Sequence, residues 1–356
     1  MLIGVWRPAG ARRRAVGSRG AVVGLLAVLL AGATPAQACD ICAVYTATEM
    51  QETRIGLRLG VAEQYTHFGR LQEGGQGVPN VVDQYIDSSI TQLVFGYHPL
   101  PRFGLQVNVP IIDRNFRRPI GDAVEDGSVA GFGDVSLLAT GLAYSSVTES
   151  TVLRVTGLFG LKFPSGSPNE LEEEAIAEPL EPCRDIPPVF CQTRQLYPRH
   201  ATIGTGVASG VHGHDLALGS GSTDVIFGAQ SLGTWERLYG TATVQYVVRT
   251  TGAFGYRYAN DLNVGTVLGA FALLEHDYSL GFEAALTCET KGTDSINGEP
   301  EPDTALTALY AGPGVRFTWG SSLSAEVVAD IPAIENNSGL QVVPTYRFRG
   351  GAVWRF

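Results

Sequence analysis

The feature that most constrains this chain is a period of two, repeated along most of its length. In the stretch 278–291, Tyr278, Leu280, Phe282, Ala284, Leu286 and Cys288 fall on one side, and Ser279, Glu283, Thr287, Glu289 and Lys291 on the other. Stretch 151–163 sets Leu153, Val155, Phe159, Leu161 and Phe163 against Arg154, Thr156, Gly160 and Lys162. The same pattern recurs over 238–249 and 323–331. A helix would scatter these residues around its circumference, whereas a strand sends alternate side chains to opposite faces. Followed through, the pattern predicts about twelve strands: 53–68, 88–99, 103–113, 133–145, 150–164, 223–233, 238–250, 260–274, 278–291, 304–318, 322–332 and 340–356.

The predicted connections alternate in length. Segments 100–102, 146–149, 234–237, 275–277 and 319–321 are short, and those between them, such as 69–87, 114–132 and 165–222, are longer. An even-stranded transmembrane barrel has this rhythm, with short periplasmic turns and long extracellular loops. A soluble sandwich also alternates polar and apolar faces. Its strands average roughly 5–6 residues, however, and the runs here are about twice that, close to the ~9–11 residues a tilted strand needs to cross hydrocarbon. The last strand carries Tyr346, Phe348, Ala352, Trp354 and the terminal Phe356 on one face, with Arg347, Arg349 and Arg355 opposite. An alternating strand ending in Phe is the form of signal that bacterial barrel-insertion machinery reads. The expected fold class is therefore all-β, an antiparallel transmembrane β-barrel.

The beginning of the chain reads as an export signal. Arg7, Arg12, Arg13, Arg14 and Arg19 precede the apolar run AVVGLLAVLLAGA, and Ala36-Gln37-Ala38 gives a small-x-small cleavage pattern before Cys39. The run is too short for a spanning helix, which takes ~20 apolar residues. A lipoprotein reading, with Cys39 acylated, fits Ala36 and Gln37 poorly. The expected organisation is a cleaved signal peptide over 1–38, a periplasmic segment over 39–52, and a barrel over 53–356 with a long extracellular loop at 165–222. Localisation follows as the cell outer membrane of a Gram-negative bacterium.

Charge excludes one class of partner. Five of the 25 basic residues lie in the leader, which leaves 20 against 35 acidic residues and a net charge of −15. Nucleic-acid binding needs a basic footprint. The expected partners are outer-membrane lipid, the insertion machinery and a small-molecule solute.

Cysteine use is sparse. Cys183 and Cys191 flank CRDIPPVFC, and Cys39 and Cys42 form CDIC. Both pairs are disulfide candidates in an exported protein. A Cys-x-x-Cys pair is alternatively redox-active or metal-binding, but no second pair completes a structural zinc site.

The polar faces of the predicted strands supply the lumen candidates: Arg54, Arg58, Arg154, Lys162, Arg249, Glu283, Lys291, Arg316, Glu326, Asp330 and Arg347, with Glu289, Arg349 and Arg355 on the same faces. They read either as a ladder of salt bridges filling a narrow barrel or as a charged path that selects solutes. The loop 165–222 opens with an acidic run that includes Glu170, Glu172, Glu173 and Glu174, expected to be a solvated face. It closes on His212-Gly213-His214-Asp215. His-x-His is a metal-ligand pattern, but solvated loop histidines are the expectation here because no further ligand stands at a fixed spacing. His67, His98 and His276 are isolated, so no catalytic, metal or cofactor-binding residue is assigned and no enzyme is expected.

Three short motifs carry a resemblance. Gly131-Phe132-Gly133-Asp134-Val135, Gly157-Leu158-Phe159-Gly160-Leu161-Lys162-Phe163-Pro164-Ser165-Gly166 and Leu218-Gly219-Ser220-Gly221-Ser222-Thr223-Asp224 resemble motifs of the outer-membrane barrels named for the MetA pathway of phenol degradation. The resemblance covers roughly residues 90–356. It implies a barrel for uptake of small, often hydrophobic compounds, without fixing a substrate. The functional expectation is a channel or transporter for small, hydrophobic or aromatic solutes. The alternative is a structural or binding barrel with a plugged lumen and a metal- or partner-binding loop.

Overall fold

A computed structural model describes residues 55–120, 123–176 and 207–356. Arg54 and the four cysteines Cys39, Cys42, Cys183 and Cys191 lie outside the described residues, as does the leader.

Twelve long strands form the wall. They are β1 (Gly56–Glu73), β2 (Tyr85–Leu100), β3 (Phe103–Ile120), β4 (Ser136–Val147), β5 (Thr151–Lys162), β6 (Asp224–Trp235), β7 (Leu238–Val248), β8 (Asp261–Leu274), β9 (Tyr278–Lys291), β10 (Leu306–Trp319), β11 (Leu323–Asn337) and β12 (Leu340–Arg355). Each pairs antiparallel with its neighbours in sequence. The seam between β12 and β1 closes the cylinder, with Arg58 opposite Arg355 and Glu73 opposite Leu340. Closure leaves no free edge, which is what a sheet in lipid requires. No helix among the described residues is long and apolar enough to cross a membrane.

The alternation read from sequence sorts the side chains. Leu57, Leu59, Val61, Phe95, Phe159, Phe227, Phe282, Leu286, Val327 and Ile331 point outward and are exposed. Tyr97, Phe103, Tyr144, Trp235, Tyr278, Trp319, Trp354 and Phe356 are exposed around the end that carries the short turns. Such an aromatic girdle marks a membrane–water interface, and short turns mark the periplasmic end. Higher on the outer face the surface turns polar: Asp87 accepts from Tyr65 Oη at 2.8 Å and lies 2.7 Å from His67 Nδ1.

Several wall strands run past their predicted ends at the opposite, extracellular end. β3 continues to Ile120, and Ala123–Phe132 folds back on it, so much of the expected loop 114–132 is a hairpin. Cross-strand pairs hold it: Arg117 with Asp126 at 2.8 Å, and Arg118 with Glu125 at 2.7 Å. Gly127 makes the fold-back close, since a Cβ there would sit 2.4 Å from the Phe116 ring. The expected loops 251–259 and 292–303 likewise carry a small sheet of Tyr256–Arg257, Asp294–Ile296 and Glu299–Glu301. β4 begins at Ser136 rather than 133, because Gly133 and Asp134 serve a different purpose.

Candidate functional site

The two described ends of the long loop turn inward. Residues 166–176 and 207–222 fold against the wall strands as a plug segment that includes two short helices, α1 (Glu172–Ile176) and α2 (Gly213–Leu216). Their apolar residues dock on the wall. Val211 and Leu216 pack with Phe68, Leu71, Ile86, Phe116 and Val342, and Leu218 packs with Ile90 and Ile112. Polar groups set the position. Gly210 O accepts from Val342 N at 2.9 Å, the Gln84 amide bonds Ala208 O and Gly210 N, and Arg114 Nη1 donates to Ala217 O at 2.7 Å.

Where the plug meets β4, β5 and β6, a charge hub forms on Lys162. Its Nζ lies 3.0 Å from Asp134 Oδ2, 2.9 Å from Asp224 Oδ2 and 2.9 Å from Ser220 Oγ. Asp134 grips the plug by its backbone: Oδ1 accepts from Gly166 N at 3.0 Å and Oδ2 from Ser220 N at 2.9 Å. Burial alone would push the Asp134 carboxyl up, but Lys162 and the donors of Ser220 and Gly166 outweigh it and hold it below the usual carboxylate range. Gly166 and Gly219 pack backbone to backbone, and a Cβ on Gly219 would fall 2.5 Å from Gly166 C. From Asp224 the hub continues to Arg249 at 2.9 Å, and Arg249 Nη2 reaches Asp261 at 2.5 Å. The three motifs singled out in the sequence thus converge at one point: Asp134, Lys162 with Gly166, and Ser220 with Asp224.

Further into the lumen the charges pair with one another. Glu283 accepts from Arg316 Nε at 3.1 Å and from Tyr239 Oη at 2.8 Å, and Arg316 reaches Glu326 at 2.6 Å. Arg347 bridges Glu289 at 2.6 Å and Asp330 at 3.0 Å, and its guanidinium lies 3.7 Å from the centre of the Tyr310 ring. Lys291, at the extracellular end of β9, pairs with Asp294 at 2.6 Å. Arg58 and Arg154 stand half-buried toward the periplasmic end. Of the described candidates, Lys162, Arg249, Glu283, Lys291, Arg316, Asp330 and Arg347 are buried and Arg58, Arg154 and Glu326 are half-buried.

Beneath the plug a cavity opens between Ile90, Gln92, Asn108, Ile112, Ser136, Lys162, Leu218 and Tyr258, among others. The space in it that a water-sized sphere can occupy measures about 70 Å³. The lining mixes aliphatic and aromatic surface with amides, two cations, Arg114 and Lys162, and the carboxylate of Asp134.

The plug corrects two expectations. His212 and His214 are not solvated; both are 2 % exposed, with their rings stacked 5.3 Å apart. Nor is the acidic run a uniform solvated face. Glu174 is buried against His214, with Oε1 2.9 Å from Nδ1, and Glu173 pairs with Arg118 at 2.9 Å. Burial would lower the His214 pKa, but Asp215 and Glu174 raise it to about 9. The reason for the error is physical: alternation reports on strands, and it carries no signal about a loop that folds back into the barrel it caps.

No protein-family profile matches the chain, and no curated protein matches it. Solved structures do. An outer-membrane channel from Pseudomonas putida F1 has 15% identity, covers 88% of this chain and 100% of its own, and superposes with a TM-score of 0.53. The β domain of the Bordetella autotransporter BrkA matches at 12% identity over 85% of this chain and 100% of its own, with a TM-score of 0.40. The translocator domain of NalP from Neisseria meningitidis matches at 12% identity over 95% of each chain, with a TM-score of 0.38. The Pseudomonas match establishes the outer-membrane β-barrel fold. With the closed wall and its apolar outer band, that fold sets the protein in the outer membrane.

Proposed function

We propose that this barrel is a plugged channel that admits small solutes with an apolar body and a polar end. The observation that carries this reading is the cavity under the plug. Ile90, Ile112, Leu218 and Tyr258 offer an apolar wall, while Gln92, Asn108, Ser136 and Lys162 offer a few fixed polar groups. Small-molecule sites have this composition. Twelve strands enclose a lumen between the filled eight-stranded case and the open sixteen-stranded one. The ion pairs on β9 to β12 narrow that lumen further, which limits the size of what passes. The motif resemblance to barrels for uptake of hydrophobic compounds agrees with this class of solute, and the proposal needs no catalytic step.

The plug makes the channel conditional. Apart from the chain that leads into it from β5 and out to β6, it is held by hydrogen bonds, ion pairs and apolar contacts that can be broken and remade. The test is uptake of small aromatic carboxylates and uncharged aromatics into proteoliposomes, with single-channel recording in parallel. Solute entry above that of empty liposomes, increased by Asp134→Asn, supports a gated channel. Entry and conductance that stay at the lipid background in both proteins would leave a structural barrel and overturn the proposal.

A further inference from the structure

A cluster in the plug has no part in the proposed solute path. His212, His214 and Asp215 are brought together by the turn of α2, and Glu174 reaches them from α1. The imidazole and carboxylate ligand atoms of His212, His214 and Asp215 all lie within 4.8 Å of one another. His214 Nε2 is 3.4 Å from Asp215 Oδ1, and His212 Nδ1 is 3.6 Å from Asp215 Oδ2. These separations are too long for good N–H···O hydrogen bonds, which fall at about 2.7–3.2 Å. They match the edge of a tetrahedron around a transition ion: with bonds of about 2.0–2.1 Å, neighbouring ligand atoms stand roughly 3.4 Å apart.

The other nitrogen of His214 is also accounted for. Nδ1 faces Glu174 Oε1 at 2.9 Å, which leaves Nε2 turned toward Asp215. A metal-bound imidazole almost always has its second nitrogen on a carboxylate or carbonyl in this way. Asp215 is fixed too, since its Oδ2 accepts from the His212 backbone N at 3.0 Å. The Tyr256 ring stacks on His214 at 6.1 Å, and Tyr258 Oη donates to His214 O at 3.0 Å.

We infer that the plug holds a divalent transition-metal ion, Zn²⁺ or one of similar preference, on His212, His214 and Asp215, with Glu174 orienting His214. Imidazole and carboxylate donors suit such ions. Glu174 and His214 are 40 residues apart in sequence, one on each side of residues 177–206. The Glu174–His214 contact therefore joins the two described ends of the long loop, and the ion fixes the imidazole that makes it. The site stands whether or not the barrel conducts solutes.

The experiment uses the untagged full chain folded in detergent micelles. Zn²⁺ alone is titrated calorimetrically into the wild type, His212→Ala/His214→Ala and Glu174→Gln. The expected result is saturable binding that loses one equivalent in the double variant, and that persists in Glu174→Gln with affinity weaker by about 10–100-fold. No saturable binding by the wild type, or an unchanged number of ions in the double variant, overturns the inference. Should the double variant fail to show the heat-modifiable gel migration of a folded barrel, X-ray absorption on the Zn²⁺-loaded wild type decides. A shell containing two imidazoles and oxygen supports the site. A shell dominated by sulfur places the ion on the cysteines and overturns it.

Discussion

At the scale of single residues, Asp134 has the widest reach. Among the described residues it is the carboxylate that touches the wall lysine and both inner stretches of the plug, at Gly166 and Ser220. Replacing it with Asn keeps its shape but removes the charge. Lys162 keeps Asp224 as a partner, so the cost should stay near the figure for a weakened buried hydrogen bond, about 1–3 kcal/mol, and should fall on the plug rather than the wall. We expect Asp134→Asn to retain heat-modifiable migration while raising the open probability in single-channel recording. The pH dependence has a definite sign. The folded pKa of Asp134 lies below its unfolded value, so its stabilisation is complete above the unfolded value of about 3.9 and is lost as pH falls through the folded one. Conductance of the wild type should therefore rise on acidification below about pH 4, and the rise should be smaller in Asp134→Asn. A rise of equal size in both proteins would assign the acid response to another group. The hub was only half legible in the sequence. Each motif was visible, but an ion pair across 28 positions and a hydrogen bond across 86 leave no local pattern that says they meet.

At the scale of elements, the twelve strands were legible because lipid and lumen impose opposite demands on alternate residues, and the sequence of β9 obeys both. Extensions beyond the membrane were not legible, because there the outward residues are no longer apolar. On β3 the outward series passes from Val107, Val109 and Ile111 to Asp113, Asn115 and Arg117, and the period-two contrast disappears while the strand continues. The pairing of that extension with Ala123–Phe132 gives α1 its support, since Arg118 holds both Glu125 and Glu173. Arg118→Ala should undock α1 and expose the plug to limited proteolysis, with the wall strands still protected. Gly219→Ala acts on the other arm of the plug. Its methyl group would collide with the Gly166 backbone, and neither backbone can retreat without losing a bond to Asp134 or Ser167. Overpacking of this kind costs about 1–3 kcal/mol. A normal boiling shift on a gel combined with faster cleavage of the plug is the expected outcome; cleavage at the wild-type rate would show that the contact is slack.

At the scale of the whole molecule, the barrel inverts the usual order of a soluble fold: the apolar side chains are outside and the paired charges within. Phe282, exposed on the outer face of β9, tests that inversion. Phe282→Arg should cost about 2–4 kcal/mol in equilibrium folding into lipid vesicles if the position lies near the bilayer midplane, whereas a change at half-buried, inward-facing Arg154 to Gln should cost much less. Equal penalties at the two sites would be inconsistent with a lipid-facing β9. The closing seam adds a requirement about time. β1 and β12 are the two most distant strands in sequence, yet they share the longest register in the wall, from Arg58 with Arg355 to Glu73 with Leu340. The plug, which belongs to the middle of the chain, ends up inside the ring that this seam completes. Assembly therefore has a last act: the interior has to be furnished before the final strand zips shut, and a chain that lost only its last dozen residues would hold every piece of the mouth and still have no room to put them in.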